Sequence, residues 1–354
     1  MTLEEIGTER AHLTAYVEAI TNKIDTFLDS EITQWSAIDG SIAAPLTALT
    51  EFFHGGGKRL RPAFCYLGFR AGSSDIINDD IVNVGCALEL LHNFALIHDD
   101  FMDRADTRRG IPTVHKFLEA YYSRQDYVGD IEHFANSVAV LTGDFAYTYA
   151  DRFARGLPAR CLDVYDALKV ELFAGQQMDL DAVYRSSITR QKVSLIAQYK
   201  SGKYTIERPL QLGSLLADES APHDLWSGFG QPLGEAFQLR DDILGIFGDE
   251  SLTGKPVGDD IREGKFTLLI AEAIERSSRS DQTLLDLRGN PELTFSQIEE
   301  IVSVIDACGA RAAVEERITS LFDQASNSLE KLDLSSDILK FAQYLARYVC
   351  WREM

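Results

Sequence analysis

The chain has 354 residues, 45% hydrophobic and 25% charged, the proportions of an ordinary globular protein with room for one large domain or two modest ones. Its net charge of −21 argues against nucleic acid or an anionic membrane surface as a partner through bulk electrostatics. Five widely spaced cysteines with no CxxC pair favour free thiols in a reducing compartment, and the acidic start (Glu4, Glu5, Glu9) lacks a signal-peptide pattern, so a cytoplasmic location is expected.

Taken in chain order, the first punctuation is Gly55-Gly56-Gly57-Lys58-Arg59-Leu60-Arg61-Pro62, a flexible glycine run joined to three cations. Glycine lets backbone N–H groups approach an anion that Lys58 and Arg61 can clamp, although the spacing is not that of a Walker A loop. Alone, the segment reads equally well as a helix start with solvated cations. Next, Ile81, Val84, Leu88, Leu91, Phe94 and Ala95 recur at steps of three and four, predicting a helix over 81–103. Its apolar run is broken by Asn83, Glu89, His92 and Asn93, so no membrane span is expected. Four residues separate Asp99 from Asp103, placing both on one face, and Asp106 continues that face if the helix persists. Gly110 and Pro112 are its expected terminators, with Arg108 and Arg109 just beyond the carboxylates.

Further helical patterns fall at 137–153, 192–216 (with Lys200-Ser201), 228–247, 265–277, 297–307, 312–331 and 336–351. Pro209 and Pro232 lie inside two of them and mark kinks or starts. The 228–247 pattern ends in Phe237-Gln238-Leu239-Arg240-Asp241-Asp242-Ile243-Leu244-Gly245, followed by Lys255, Asp259-Asp260 and Lys265 in a loop. No run of alternating strands is present and no linker divides the chain, so a single all-α domain spanning 1–354 is expected.

The chemistry follows from the charges. Carboxylates clustered behind apolar surface repel one another unless something neutralises them, and hard divalent cations do so through oxygen ligands. Magnesium uses one or two carboxylates with waters and substrate phosphates, and nearby Lys and Arg suit those phosphates. Either acidic cluster alone could also be a solvated helix end.

Together, these elements resemble the trans-isoprenyl diphosphate synthases, or polyprenyl synthetases. Gly57-Lys58 with Arg61 looks like the family's isopentenyl diphosphate clamp, with His92 and Arg109 as further contacts. Asp99-Asp100-x-x-Asp103 resembles the first aspartate-rich motif and Arg108-Arg109-Gly110 its trailing arginine pair. Lys200-Ser201 resembles the pair that touches the allylic diphosphate, and Gln238-x-x-Asp241-Asp242 the second motif, followed by Lys255 and Lys265. One departure stands out, because that motif commonly closes on an aspartate where this chain has Gly245.

The resemblance implies a single-domain helical bundle with a central cavity, a homodimer, and about three magnesium ions assisting ionisation of the allylic diphosphate. Asp99, Asp100, Asp103, Asp241 and Asp242 are the implied metal ligands; Arg108, Lys200, Ser201, Gln238, Lys255 and Lys265 the implied allylic contacts. Phe94 beside the small Ala95, with no insertion in the first motif, resembles synthases of geranylgeranyl diphosphate (C20), with farnesyl diphosphate (C15) or a longer chain as alternatives. A terpene cyclase shares the fold but needs no isopentenyl site. A non-catalytic subunit often loses motif carboxylates that this chain keeps.

Overall fold

Helical periodicity is realised nearly throughout the computed structural model, which describes residues 7–185, 189–248, 258–290 and 292–352. Contacts divide the chain into two compact units, one formed by Ala11–Ala63 and Asp75–Pro158, the other by Met1–Arg10, Phe64–Ser74 and Ala159–Met354.

The first unit contains most of α1 (Gly7–Ser36), α2 (Ala43–His54), the start of α3 (Leu60–Gly72), α4 (Asp79–Met102), α5 (Val114–Tyr122) and α6 (Ile131–Ala154). Its centre is the pairing of α4 with α6. Helix α4 starts where the Asn78 side chain accepts the Ile81 N–H at 3.0 Å, with Asp79 and Asp80 favouring the positive end of the dipole. By length and composition it is the one described helix able to cross a membrane, yet 67% of its apolar window is buried in protein, as in a core helix.

The helix ends where its periodicity does, well before the terminators expected at Gly110 and Pro112. Met102 is its last residue and Asp103 its C-cap, and Arg104 then enters the left-handed region at φ 55°. Asp106 therefore does not extend the acidic face. Gly110 instead turns a small hairpin, in which β1 (Thr107–Arg108) pairs antiparallel with β2 (Ile111–Pro112).

One buried charge fixes this unit. The Glu89 side chain, 3% exposed on α4, pairs with Arg59, which also donates to the Phe53 carbonyl at 3.1 Å and lies 4.4 Å from the centre of the Phe53 ring. Of the three cations in the glycine-led loop, Arg59 is thus turned inward.

The second unit holds the rest of α3, then α7 (Ala159–Val183), α8 (Arg190–Ile196), a π-helical segment (Ala197–Glu207), α9 (Arg208–Ala217) and α10 (Ser227–Phe247). A short helical turn at Asp259–Arg262 precedes α11 (Leu268–Arg276), α12 (Arg279–Leu285), α13 (Phe295–Ala307), α14 (Ala310–Ser328) and α15 (Ser336–Trp351). The pattern over 192–216 is therefore helical but interrupted by π turns, and Pro209 opens the α-helix that resumes after them. Backbones here touch through glycine. A Cβ on Gly213 would overlap the Cys65 carbonyl and lie 2.7 Å from the Phe69 nitrogen, and one on Gly202 would lie 3.0 Å from the Gly234 carbonyl carbon.

Two stability outcomes are expected. Gly213→Ala should force α9 off α3 and cost about 3 kcal/mol in urea unfolding, the upper end for overpacking. A loss below about 1 kcal/mol would show that α3 moves aside freely. Arg59→Ala should cost about 3–5 kcal/mol by leaving Glu89 buried and unpaired, whereas Lys58→Ala at the exposed neighbouring position should stay within about 0.5 kcal/mol. Equal effects of the two would refute the inward role of Arg59.

Candidate active site

The first unit gathers positive charge. Gly56 and Gly57 adopt φ of 88° and 155°, and a Cβ on Gly57 would stand 3.1 Å from Arg109 Nη1. That guanidinium donates to the Gly56 carbonyl, which ties the glycine loop to the hairpin after α4. Burial first, then repulsion from Arg108, pushes the Arg109 pKa down to about 10, so it remains a cation at neutral pH. His92 is held well below the usual histidine range by burial and then by Arg61, Arg109, Arg108 and Arg59. Positive charge from this side of the unit therefore disfavours its protonated form. Lys58 is exposed at the edge of the same loop. Such a concentration of donors has the chemistry of a polyanion site, most simply for a diphosphate.

The first aspartate motif lies at the C-terminal end of α4. Asp103 keeps the face of Asp99, its N–H donating to the Asp99 carbonyl at 2.8 Å. Asp100 turns inward, 1% exposed, and is held by Arg108 through Nε at 2.6 Å and Nη2 at 2.5 Å, while Arg108 Nη2 is 3.6 Å from Asp99 Oδ2. Burial would lower the Arg108 pKa, but Asp100, Asp99 and Asp103 outweigh it and raise it. Arg108 is therefore engaged with the carboxylates rather than standing beyond them. Aromatic packing lies behind Asp99, with the Phe94 ring 4.6 Å from His98 and 5.0 Å from Tyr147 of α6. Ala95 sits beside Phe94 on the half-buried side of α4.

The second motif ends α10 in the second unit. Asp242 is buried and accepts from Gln238 Nε2 at 2.7 Å. Its pKa is pushed up to about 8, first by burial and further by Asp260, Asp241 and Asp179, against the lowering effect of Gln238. Asp179 on α7 pairs with Lys200 Nζ at 2.6 Å, and Lys200 is placed by the π segment, whose backbone passes so close to α7 that a Cβ on Gly175 would overlap it. Ser201 comes next on the same segment. Lys265 Nζ is 3.3 Å from Asp260 and also pairs with Glu263. Gly245 has a use here, because a side chain at that position would collide with the Asp260 carboxylate. The space beside the helix end is filled by an aspartate from another segment. Lys255 lies outside the described residues.

Sequence reasoning missed one residue. Arg352, its side chain 1% exposed, pairs with Asp241. No local pattern marks it, since it sits just past the last helix at a distance of 111 residues from its partner.

The donors at both motifs are carboxylate oxygens, the ligands that hard divalent cations take. Among the described residues no three His, Cys, Asp or Glu side chains converge as a ready-made cage. Carboxylates presented in ones and twos match magnesium, which completes its octahedron with waters and substrate phosphates. A carboxyl such as Asp242, whose pKa is raised first by burial and then by its acidic neighbours, gains ionisation from a cation.

Comparison with known proteins agrees with this chemistry. The polyprenyl synthetase family model matches residues 44–305. Geranylgeranyl diphosphate synthase of Methanosarcina mazei is 32% identical over 306 residues, covering 82% of this chain and 85% of that protein. Its counterpart from Mycobacterium tuberculosis is 31% identical, covering 94% and 89%. The crystal structure of geranylgeranyl pyrophosphate synthase from Corynebacterium glutamicum, complexed with isoprenyl diphosphate and magnesium, superposes with a TM-score of 0.90 at 34% identity, covering 95% of this chain and 98% of that one. By fold, motif order and sequence, this chain belongs to the polyprenyl synthetase family.

Proposed function

We propose that this trans-prenyltransferase condenses isopentenyl diphosphate with dimethylallyl, geranyl and farnesyl diphosphates to give all-trans geranylgeranyl diphosphate. The observation that carries this reading is the cationic glycine loop, in which Arg109 donates to the Gly56 carbonyl and stands 3.1 Å from a Cβ built on Gly57, a candidate diphosphate site apart from the aspartate motifs. A terpene cyclase, acting on one diphosphate, has no use for it. The family match runs through both compact units, which supports treating 1–354 as one catalytic domain.

Asp99, Asp100, Asp103, Asp241 and Asp242 would hold about three magnesium ions, which when bound stabilise the negative charge of a departing diphosphate. Lys200, Ser201, Gln238, Lys255, Lys265 and Arg108 serve the allylic diphosphate. The cations among them donate to its oxygens as the C–O bond breaks, leaving an allylic carbocation. Lys58, Arg61, His92 and Arg109 hold isopentenyl diphosphate so that its double bond attacks that carbocation. The proton then lost passes to the released diphosphate, so no side chain is assigned as general base. A homodimer is the family arrangement, and exposed Leu141 on α6 and Val170 on α7 are the kind of surface it would cover. The five free cysteines accord with a cytoplasmic setting.

Two measurements test the reading. Lys58→Ala and Arg61→Ala should each raise KM for isopentenyl diphosphate about 10- to 100-fold, corresponding to about 1.5–3 kcal/mol for a lost charged contact, with little change for the allylic substrate. A selective rise in the allylic KM would mean the two pockets are reversed. Product length is the second. Ala95 lies about 6 Å below Asp99 along the axis of α4, on nearly the same face, where a growing tail would pass. Mass spectrometry should find C20 as the main product of the isolated chain and C15 for Ala95→Phe. Persistence of C20 in that variant would place the floor of the channel elsewhere.

A further inference from the structure

The proposed metal ligands differ in how they are held. Asp242 Oδ1 is fixed by Gln238 from the preceding turn of its own helix. Asp241 Oδ1 is fixed from outside α10, by Arg352. The guanidinium is itself anchored on three other sides. Its Nη1 donates to the Val349 carbonyl, its Nη2 to the Phe237 carbonyl at 3.3 Å, and its carbon lies 4.3 Å from the centre of the Phe237 ring. Phe237 and Asp241 are neighbours one turn apart on α10, so one planar group spans the helix surface and the carboxylate together. Arg352 is 1% exposed whereas Asp241 is 41% exposed. The held oxygen faces a rigid buried fork and the carboxylate as a whole faces outward.

We infer that Arg352 is the positioning residue for Asp241, fixing Oδ1 so that Oδ2 is aimed at the divalent cation. The inference rests on Asp241 being a metal ligand, as proposed above. Its logic is that of outer-shell partners generally. A ligand carboxylate free to rotate loses that freedom on binding metal, whereas one already hydrogen-bonded does not. The anchoring argues against a guanidinium that swings away to admit the ion. Three of its four interactions are with backbone carbonyls and the Phe237 face, and none of these depends on the state of Asp241.

A merely structural role is the competing explanation, since Arg352 also fastens the end of α15. Arg240 supplies the control. It ties the same segment to α10 and α14, donating to the Cys350 carbonyl at 2.6 Å and to Glu315 at 2.9 and 2.5 Å, with no bond to Asp241.

The test is Mn²⁺ binding in the presence of inorganic diphosphate, read from the EPR signal of the free ion in full-length protein. Arg352→Gln should raise the Kd about tenfold or more, the usual loss for an outer-shell partner. Arg352→Lys keeps the charge but loses the fork, and should fall between the two. Arg240→Gln should leave the Kd within about twofold even where it lowers the melting temperature as much. Wild-type affinity in both Arg352 variants, or an equal weakening in Arg240→Gln, would overturn the positioning role. Asp241→Asn separates the two levels of argument. If that variant still binds Mn²⁺ normally, Asp241 is not a ligand and the underlying assignment fails first.

Discussion

Unbalanced charge is the constraint on which the rest of this structure depends. At the end of α10, burial and then Asp260, Asp241 and Asp179 disfavour an ionised Asp242, and around His92 burial and then guanidinium charge disfavour a protonated ring. Arg108 answers Asp100 and Asp99, Lys200 answers Asp179, and Lys265 answers Asp260, but Asp242 still holds a proton with a pKa near 8. Arg109 likewise gives up affinity for its proton. Cations relieve the first kind of strain and diphosphates the second. Under the proposed function the two ligand classes of a prenyl synthase would complement these two imbalances, and part of their binding energy would be relief of repulsion already present.

Holding charges in such positions requires a stiff frame, and glycine provides it in the second unit. Where α3 meets α9, and where the π segment meets α10, backbones come within reach of each other because no Cβ intervenes. Close contact of this kind leaves little room for sliding. The π turns of 197–207 have a further consequence. Each widened turn shifts the register of the residues after it, so Lys200 faces Asp179 on α7 while Lys203 and Arg208 both reach Glu171 one face away. An unbroken α-helix would not distribute these cations in that way.

Much of this was legible in the sequence. The all-α class, most helix positions and the order of the motifs follow from periodicity and residue type alone. The features that were not legible depended on local backbone choices or on distance. Nothing in Thr107–Gly110 says that the helix has already stopped at Met102, because Arg104 takes the left-handed conformation that a reader assigns to glycine. Lys58 and Arg61 read as the clamp from sequence, with no role for Arg59, and only the distant Glu89 shows that Arg59 is turned to the interior. Gly245 reads as a lost carboxylate until Asp260 is seen in the space it vacates. Arg352 has no signal at all, since its meaning lies in a partner 111 residues away.

Under the proposed function, helix α4 would join two tasks along a single axis. Its C-terminal turn presents Asp99 and Asp103, and the turn before them presents Phe94 and Ala95. The separation between the two is set by the rise of an α-helix, about 1.5 Å per residue, and not by any loop. A ruler of that kind is only as good as the rigidity of its marks. Phe94 is wedged against His98 on one side and Tyr147 on the other, and His98 in turn fills the space above Gly143 and lies 3.1 Å from the Val140 carbonyl. The ring therefore cannot rotate out of the way without unpacking α4 from α6, the pairing at the centre of its unit. Beside it, Ala95 adds only a methyl group. The same packing that stabilises the fold thus fixes where an aromatic wall stands and where it does not, so that under the proposed function the limit on product length would be a property of the core and not of a movable part.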